Sequence, residues 1–96
     1  MLTGKQKQYL KSMANQIPAT VQIGKDGLTP AVIDSVRAVL TARELIKIRI
    51  NKNSEDDVLE TAETLSRMMA CEVAQVIGST AVLFKKKKKN SHYELP

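Results

Sequence analysis

Val21-Gln22-Ile23-Gly24-Lys25-Asp26-Gly27-Leu28-Thr29-Pro30 reads as a short strand, a four-residue turn opened and closed by glycines, and the first step of a helix. Val21 and Ile23 alternate with Thr20 and Gln22, the period-two pattern of a half-buried strand. Thr29 suits an N-cap. Pro30 suits the first helical position, where its missing N–H removes nothing the helix needs. Gly24 and Gly27 permit backbone angles and close approaches that a Cβ forbids. The turn therefore brings Lys25 and unpaired backbone N–H groups to a helix N-terminus, a spot that attracts phosphate. Gly-x-x-Gly between a strand and a helix is most often an ordinary tight connection, and Asp26 opposes a bare anion site. The rest of the chain must decide.

After Pro30, Val32, Ile33, Val36, Val39 and Leu40 fall at helical spacing and predict a helix to about Thr41. Glu44-Leu45-Ile46-Lys47-Ile48-Arg49-Ile50 follows as the cleanest strand in the chain. Ile46, Ile48 and Ile50 point one way, Lys47 and Arg49 the other. Such a strand is expected in a sheet that helices cover on one side only, its basic side open to water or a partner. Upstream, Leu2, Tyr9, Leu10, Met13 and Ile17 share one side of a helix predicted over about Thr3 to Asn15, with Lys5, Lys7 and Lys11 on its polar side.

Ser54-Glu55-Asp56-Asp57 is a good helix start, a serine cap followed by acids that complement the helix dipole. Val58, Leu59, Ala62, Leu65, Met68 and Met69 carry the apolar stripe to about Ala70. Helix stabilisation accounts for the acids, and nothing pairs them with a histidine as a metal site would require. Met68 and Met69 read as core filler and Cys71 as a small buried hydrophobe. Two strands, Glu72 to Ile77 and Ala81 to Lys85, are joined across Gly78-Ser79-Thr80. The run Lys85-Lys86-Lys87-Lys88-Lys89 repels itself, so residues 1–86 are expected to form one domain and residues 87–96 a mobile lysine-rich tail.

The 96 residues carry a net charge of +5, unevenly distributed. Met1 to Asn53 holds nine Lys/Arg against three acids, Ser54 to Phe84 one Arg against six acids, and Lys85 to Pro96 five Lys against one acid. This segregation predicts a surface that faces a polyanion and an acidic back. Nucleic acid is the first candidate and a cytoplasmic membrane surface the second, although the basic face lacks an exposed apolar wedge. No apolar run is long enough for a membrane span and no secretory signal is evident. A single cysteine, Cys71, fits a reducing compartment, and a cytoplasmic protein is expected.

The order helix-strand-helix-strand-helix-strand-strand predicts an α/β two-layer sandwich with a mixed four-stranded sheet. Two strand-helix-strand units imply right-handed crossovers with parallel neighbours, and the hairpin adds one antiparallel strand. Leu2-Thr3-Gly4-Lys5-Gln6-Lys7, Val21 to Thr29, Glu44 to Ile48 and Val76-Ile77-Gly78-Ser79-Thr80-Ala81-Val82-Leu83-Phe84 together resemble the CRM domain, the chloroplast RNA splicing and ribosome maturation family. The likeness is to its free-standing bacterial, YhbY-like form and spans nearly the whole chain. It implies a fold like the C-terminal domain of a bacterial translation initiation factor. It also implies RNA binding through a loop likened to that of KH domains, and association with precursors of the large ribosomal subunit. Gly24, Lys25, Asp26 and Gly27 sit on the family's loop, Lys5 and Lys7 in its basic opening helix, and Lys47 and Arg49 on its basic strand.

The function expected is therefore binding to the backbone of structured ribosomal RNA. Lys25 and the N–H groups near Gly24 and Gly27 would hold a phosphate; Lys5, Lys7, Lys47, Arg49, Lys85 and Lys86 would supply diffuse attraction. Aromatics are too few for base-stacking platforms of the RRM type. A monomer without cofactor or metal is expected, with ribosomal proteins as further partners. The rival reading is an adaptor on assembly particles that uses the acidic third helix. An enzyme is disfavoured: the only histidine, His92, lies in the tail, and the loop lacks P-loop spacing.

Overall fold

The computed structural model describes residues 2–24, 26–51 and 58–86. Their elements are α1 (Gly4–Ala14), β1 (Val21–Ile23), α2 (Pro30–Arg43), β2 (Leu45–Ile50), α3 (Val58–Met69), β3 (Glu72–Ile77) and β4 (Thr80–Phe84). Local chemistry sets most boundaries. Thr3 caps α1 in a capping box: the Gln6 N–H donates to Thr3 Oγ1 (3.2 Å) and the Thr3 N–H to Gln6 Oε1 (2.9 Å). Thr29 caps α2 by accepting from the Val32 N–H (3.2 Å), with Pro30 at the first turn. At the end of α3, Ala70 takes φ 51° and the Cys71 N–H reaches back to the Ser66 carbonyl (3.1 Å). That is the Schellman arrangement, here built on alanine where glycine is usual. The expected serine cap at Ser54 lies outside the described residues.

The sheet order is β1-β2-β4-β3, with β1 parallel to β2 and β4 antiparallel to both of its neighbours. The α/β class, mixed four-stranded sheet and element order are those expected. The second parallel neighbour is not: β4 inserts between β2 and β3, and β3 occupies an edge. The hairpin loop is two residues, not three, because Thr80 pairs with Ile77. Gly78 has φ 56°, and Ser79 is not among the positive-φ residues, the pattern of a type II′ turn.

The expectation that helices cover one side only is also corrected. α2 and α3 bury Val36, Leu40, Ala62, Leu65 and Met69 against Val21, Ile23, Ile46, Ile48, Ile50, Ala81 and Leu83. A second cluster joins Leu10 and Ala14 of α1 to Leu45, Ala74, Val82 and Phe84, with Leu2, Tyr9, Met13 and Ile17 packed on it. The two clusters take alternate residues of β2 and β4, so they lie on opposite faces of the sheet. The reason is visible in β4: Ala81-Val82-Leu83-Phe84 is an unbroken apolar run, which demands cover on both faces. On α3 the stripe is Val58, Thr61, Ala62, Leu65 and Met69, while Leu59 and Met68 are exposed, so Met68 is not core filler. Glu44 does not open the strand. It is buried and caps α2 with φ 67°, its carbonyl accepting from the Lys85 N–H (2.8 Å).

Candidate nucleic-acid interface

The turn after β1 sits at a defined end of the sheet. The Asn51 N–H donates to the Ile23 carbonyl (2.8 Å) and the Ile50 N–H to the Ser79 carbonyl (2.8 Å). The Gly24–Gly27 turn, the end of β2 and the Gly78-Ser79 hairpin are therefore neighbours. Within the turn, the Gly27 N–H donates to the Gly24 carbonyl and the Thr29 N–H to the Gly27 carbonyl, both at 3.0 Å. Gly27 is buried with φ 69°, a left-handed conformation that favours glycine. Gly24 differs. It is exposed, and a Cβ built on it would meet nothing within 4 Å. Lys25 lies outside the described residues, so its expected bearing on Lys47 and Arg49 does too.

Strand register puts Gln22, Arg49, Thr80 and Ile77 in one row across all four strands, at the end of the sheet that carries the turn. Paired residues share a face, and this row lies on the α1 side of the sheet, beyond the part that α1 covers. Gln22, Arg49 and Ile77 are exposed, Ile77 to 62%. The next row on the same face, Lys47–Val82–Gln75, is half-covered at its two ends and buried at Val82. The row after that, Leu45–Phe84–Glu72, lies at the covered end. Lys47 and Arg49 thus project together on the face away from α3, and no carboxylate stands in either of the first two rows. The acids Glu60 and Glu63 are exposed on α3, across the sheet. The turn itself borders both regions. Asp26 and Leu28 line an open cleft of about 300 Å³ with Glu60, Thr61 and Thr64, so its α3 side is acidic.

The remaining predicted cations form a separate group. Lys85 and Lys86 leave β4 beside Leu45, at the far end of β2 from the turn. Six residues of strand separate the two ends, roughly 17 Å at the usual rise. Lys85 and Lys86 line a second cleft with Leu2, Gln6 and Glu72, and the exposed Lys5 and Lys7 flank Gln6 in α1. The structure therefore brings Lys47 and Arg49 to the end with the turn, but gathers Lys85 and Lys86 at the opening of α1. Gln22, Thr80 and Ile77 were not anticipated as site residues. The signal for them was the pairing of β1 and β4 with the basic strand, which sequence periodicity alone does not supply.

Among the described residues no cluster of His, Cys, Asp or Glu could hold a metal ion, and no helix is long and apolar enough to cross a membrane. Cys71 is buried, and burial pushes its thiol up to about 11, so at neutral pH it is not a thiolate nucleophile. Phe84 is buried under α1, and Tyr9 of α1 is half-buried against the same cluster, so neither ring projects freely from the sheet.

The fold and much of the sequence recur in other proteins. The solution structure of SAV1595 from Staphylococcus aureus is similar over the whole length of both chains, with a TM-score of 0.85 and 47% identity. The relative named "Probable RNA-binding protein YqeI", from Bacillus subtilis, is 42% identical over 96 residues, again the whole of both chains. A Haemophilus influenzae protein named "RNA-binding protein" is 30% identical over 84 residues, covering 88% of this chain and 85% of its own length. Residues 2–85 match the profile of the CRS1 / YhbY (CRM) domain, and with relatives at these identities the chain belongs to that family.

Proposed function

We propose that the protein binds the sugar-phosphate backbone of structured ribosomal RNA, in association with precursors of the large ribosomal subunit. One observation carries this reading: the exposed Arg49, with the half-covered Lys47 one row behind it, projects from the uncovered end of the sheet, where the Gly24–Gly27 turn enters α2. Two cations without a carboxylate in their rows attract a polyanion. A glycine turn entering a capped helix gives one phosphate a place to dock. Lys25, within that turn, supplies its cation; Lys5, Lys7, Lys85 and Lys86 extend the attraction along α1. Membership of the CRM family and the names of the relatives support RNA as the polyanion. The segregation of Glu60 and Glu63 to the opposite face supports docking in one orientation.

The test is a salt titration against ribosomal RNA. With about five phosphates neutralised, log K falls against log salt with a slope of roughly −3.5 to −4.5. A slope near zero removes backbone binding as the mechanism. Crosslinking in cells followed by sequencing of the attached RNA tests the finer part, with reads expected to concentrate in large-subunit ribosomal RNA and its precursor ends.

A further inference from the structure

The cations explain attraction to a backbone, but not why the outermost row of the sheet combines Arg49 with an exposed isoleucine. Ile77 leaves 62% of its surface uncovered, one strand beyond Thr80 and two beyond Arg49. An aliphatic side chain so placed contributes nothing to phosphate binding. Three strand spacings of about 4.8 Å make the row Gln22–Arg49–Thr80–Ile77 roughly 14 Å wide. A four-stranded sheet of this kind holds two or three bases in a different RNA-binding fold, where aromatic rings supply the stacking surface. Here the described aromatics, Tyr9 of α1 and Phe84 beneath it, belong to the cluster between α1 and the sheet, and the flat surface available in the row is the Arg49 guanidinium, on which bases also stack. Gln22 and Thr80 carry the amide and hydroxyl that can pair with a base edge.

We propose that this row receives one or two unpaired nucleobases, with Arg49 as the stacking plane, Ile77 as an apolar ledge, and Gln22 and Thr80 as hydrogen-bonding partners. The ligand class is thus RNA with unstacked nucleotides in a loop, bulge or end, rather than continuous duplex. Bases inside an A-form helix present neither face to a sheet. The inference rests on the RNA-binding reading above, since the backbone must first be held at the adjoining turn. Charge favours this occupant over a protein surface: the row offers a cation and neutral groups, with no carboxylate to pair with a partner's basic residue.

The experiment compares two labelled RNAs with equal numbers of phosphates by fluorescence anisotropy at 0.15 M salt. One is a hairpin with an open loop of several nucleotides and the other a blunt duplex. The full-length protein is expected to prefer the looped RNA. Ile77→Ser is expected to reduce that preference roughly 5- to 10-fold, the scale of partly burying an isoleucine side chain. Arg49→Lys keeps the charge and so retains the salt slope, but lacks the plane, and is expected to lower the preference by a similar factor. Equal binding of both RNAs by the unaltered protein, or a preference that survives both substitutions, overturns the base-receiving row while leaving backbone binding intact. Absence of salt-dependent binding to either RNA overturns the backbone reading itself, and the row with it. Circular dichroism of each variant confirms that the folded protein is being compared.

Discussion

Two ends of one sheet face are built from the same three strands and meet opposite fates. At one end Leu45 and Phe84 lie beneath α1; at the other Arg49, Thr80 and Ile77 do not. The difference is a matter of which residues occupy one face of β2 and β4. Leu45 and Phe84 make the first end apolar, with Val82 beside them in the middle row, and burying them against Leu10 and Ala14 is worth about 25 cal/mol for each Å² of apolar surface removed. Arg49 makes the second end too costly to cover, and Lys47 limits the cover to half in the row between, since an unpaired charge does not enter an apolar interface. One strand can therefore serve stability and binding in sequence, and substitutions at its two ends are expected to separate the two.

The largest effect belongs to the covered end. Phe84 is 2% exposed in the cluster under α1, and Phe84→Ala is expected to cost about 3–5 kcal/mol of stability. Thermal unfolding gives the loss, and RNA affinity corrected for the folded fraction stays near that of the parent. At the open end, the double substitution Lys47→Ala with Arg49→Ala has the opposite signature. Each neutralised phosphate is worth roughly five-fold in affinity at 0.15 M salt, so the pair costs about 20-fold and flattens the log–log slope by about 1.5. The melting temperature holds, because neither side chain belongs to either core cluster. If affinity were to fall without any change in slope, these cations would not be touching phosphate.

The turn sharpens the comparison on a smaller scale. Gly27 has φ 69°, and Gly27→Ala is expected to cost roughly 1–2 kcal/mol, read in denaturant unfolding. Gly24→Ala has open space for its methyl group and is expected to leave stability within about 1 kcal/mol of the parent, or to raise it slightly. Any affinity that Gly24→Ala loses therefore reports a ligand approaching the backbone. Lys25→Ala is expected to weaken RNA binding with little change in melting temperature; a collapsed fold with constant affinity per folded molecule would make the turn structural.

Much of this architecture was legible because local rules agreed with one another. Thr3 and Thr29 marked helix starts, the stripes of α1 and α2 included the buried Leu10, Val36 and Leu40 but not Ala14, and the alternation in β2 separated its isoleucines from Lys47 and Arg49. What was not legible depended on strand order. Periodicity cannot tell whether β3 or β4 lies beside β2, and that choice puts Thr80 and Ile77 in line with Arg49. The place of α1 left a trace that alternation obscured, namely the adjacent Leu45 and Ile46 and the unbroken run from Ala81 to Phe84, both signs of burial on two faces. Glu44 ran against its local pattern. Its positive φ and its place between Leu40 and Lys85 come from the tight passage of α2 into β2. Leu59 and Met68 fell outside the stripe because Val58, Thr61, Ala62, Leu65 and Met69 already supply one helical face.

The smallest expected effect tests whether the charge that matters is local. Glu60 and Glu63 are exposed on α3, on the far side of the sheet from Arg49, although Glu60 also lines the cleft beside Asp26. At 0.15 M salt the screening length is about 8 Å, shorter than the path through the sheet and the α3 layer. Glu60→Lys with Glu63→Lys is therefore expected to change affinity for naked RNA by less than about three-fold, and in the direction of tighter binding. A much larger gain would mean that Glu60 screens the turn across the cleft and that the binding surface wraps around Asp26 toward α3. Sedimentation with assembling ribosomal particles separates a further case from these. If the reversed protein holds RNA normally yet leaves the particles, the acidic helix is a contact for protein partners. The open end of the sheet would then account for RNA affinity but not for where the protein resides on the particle.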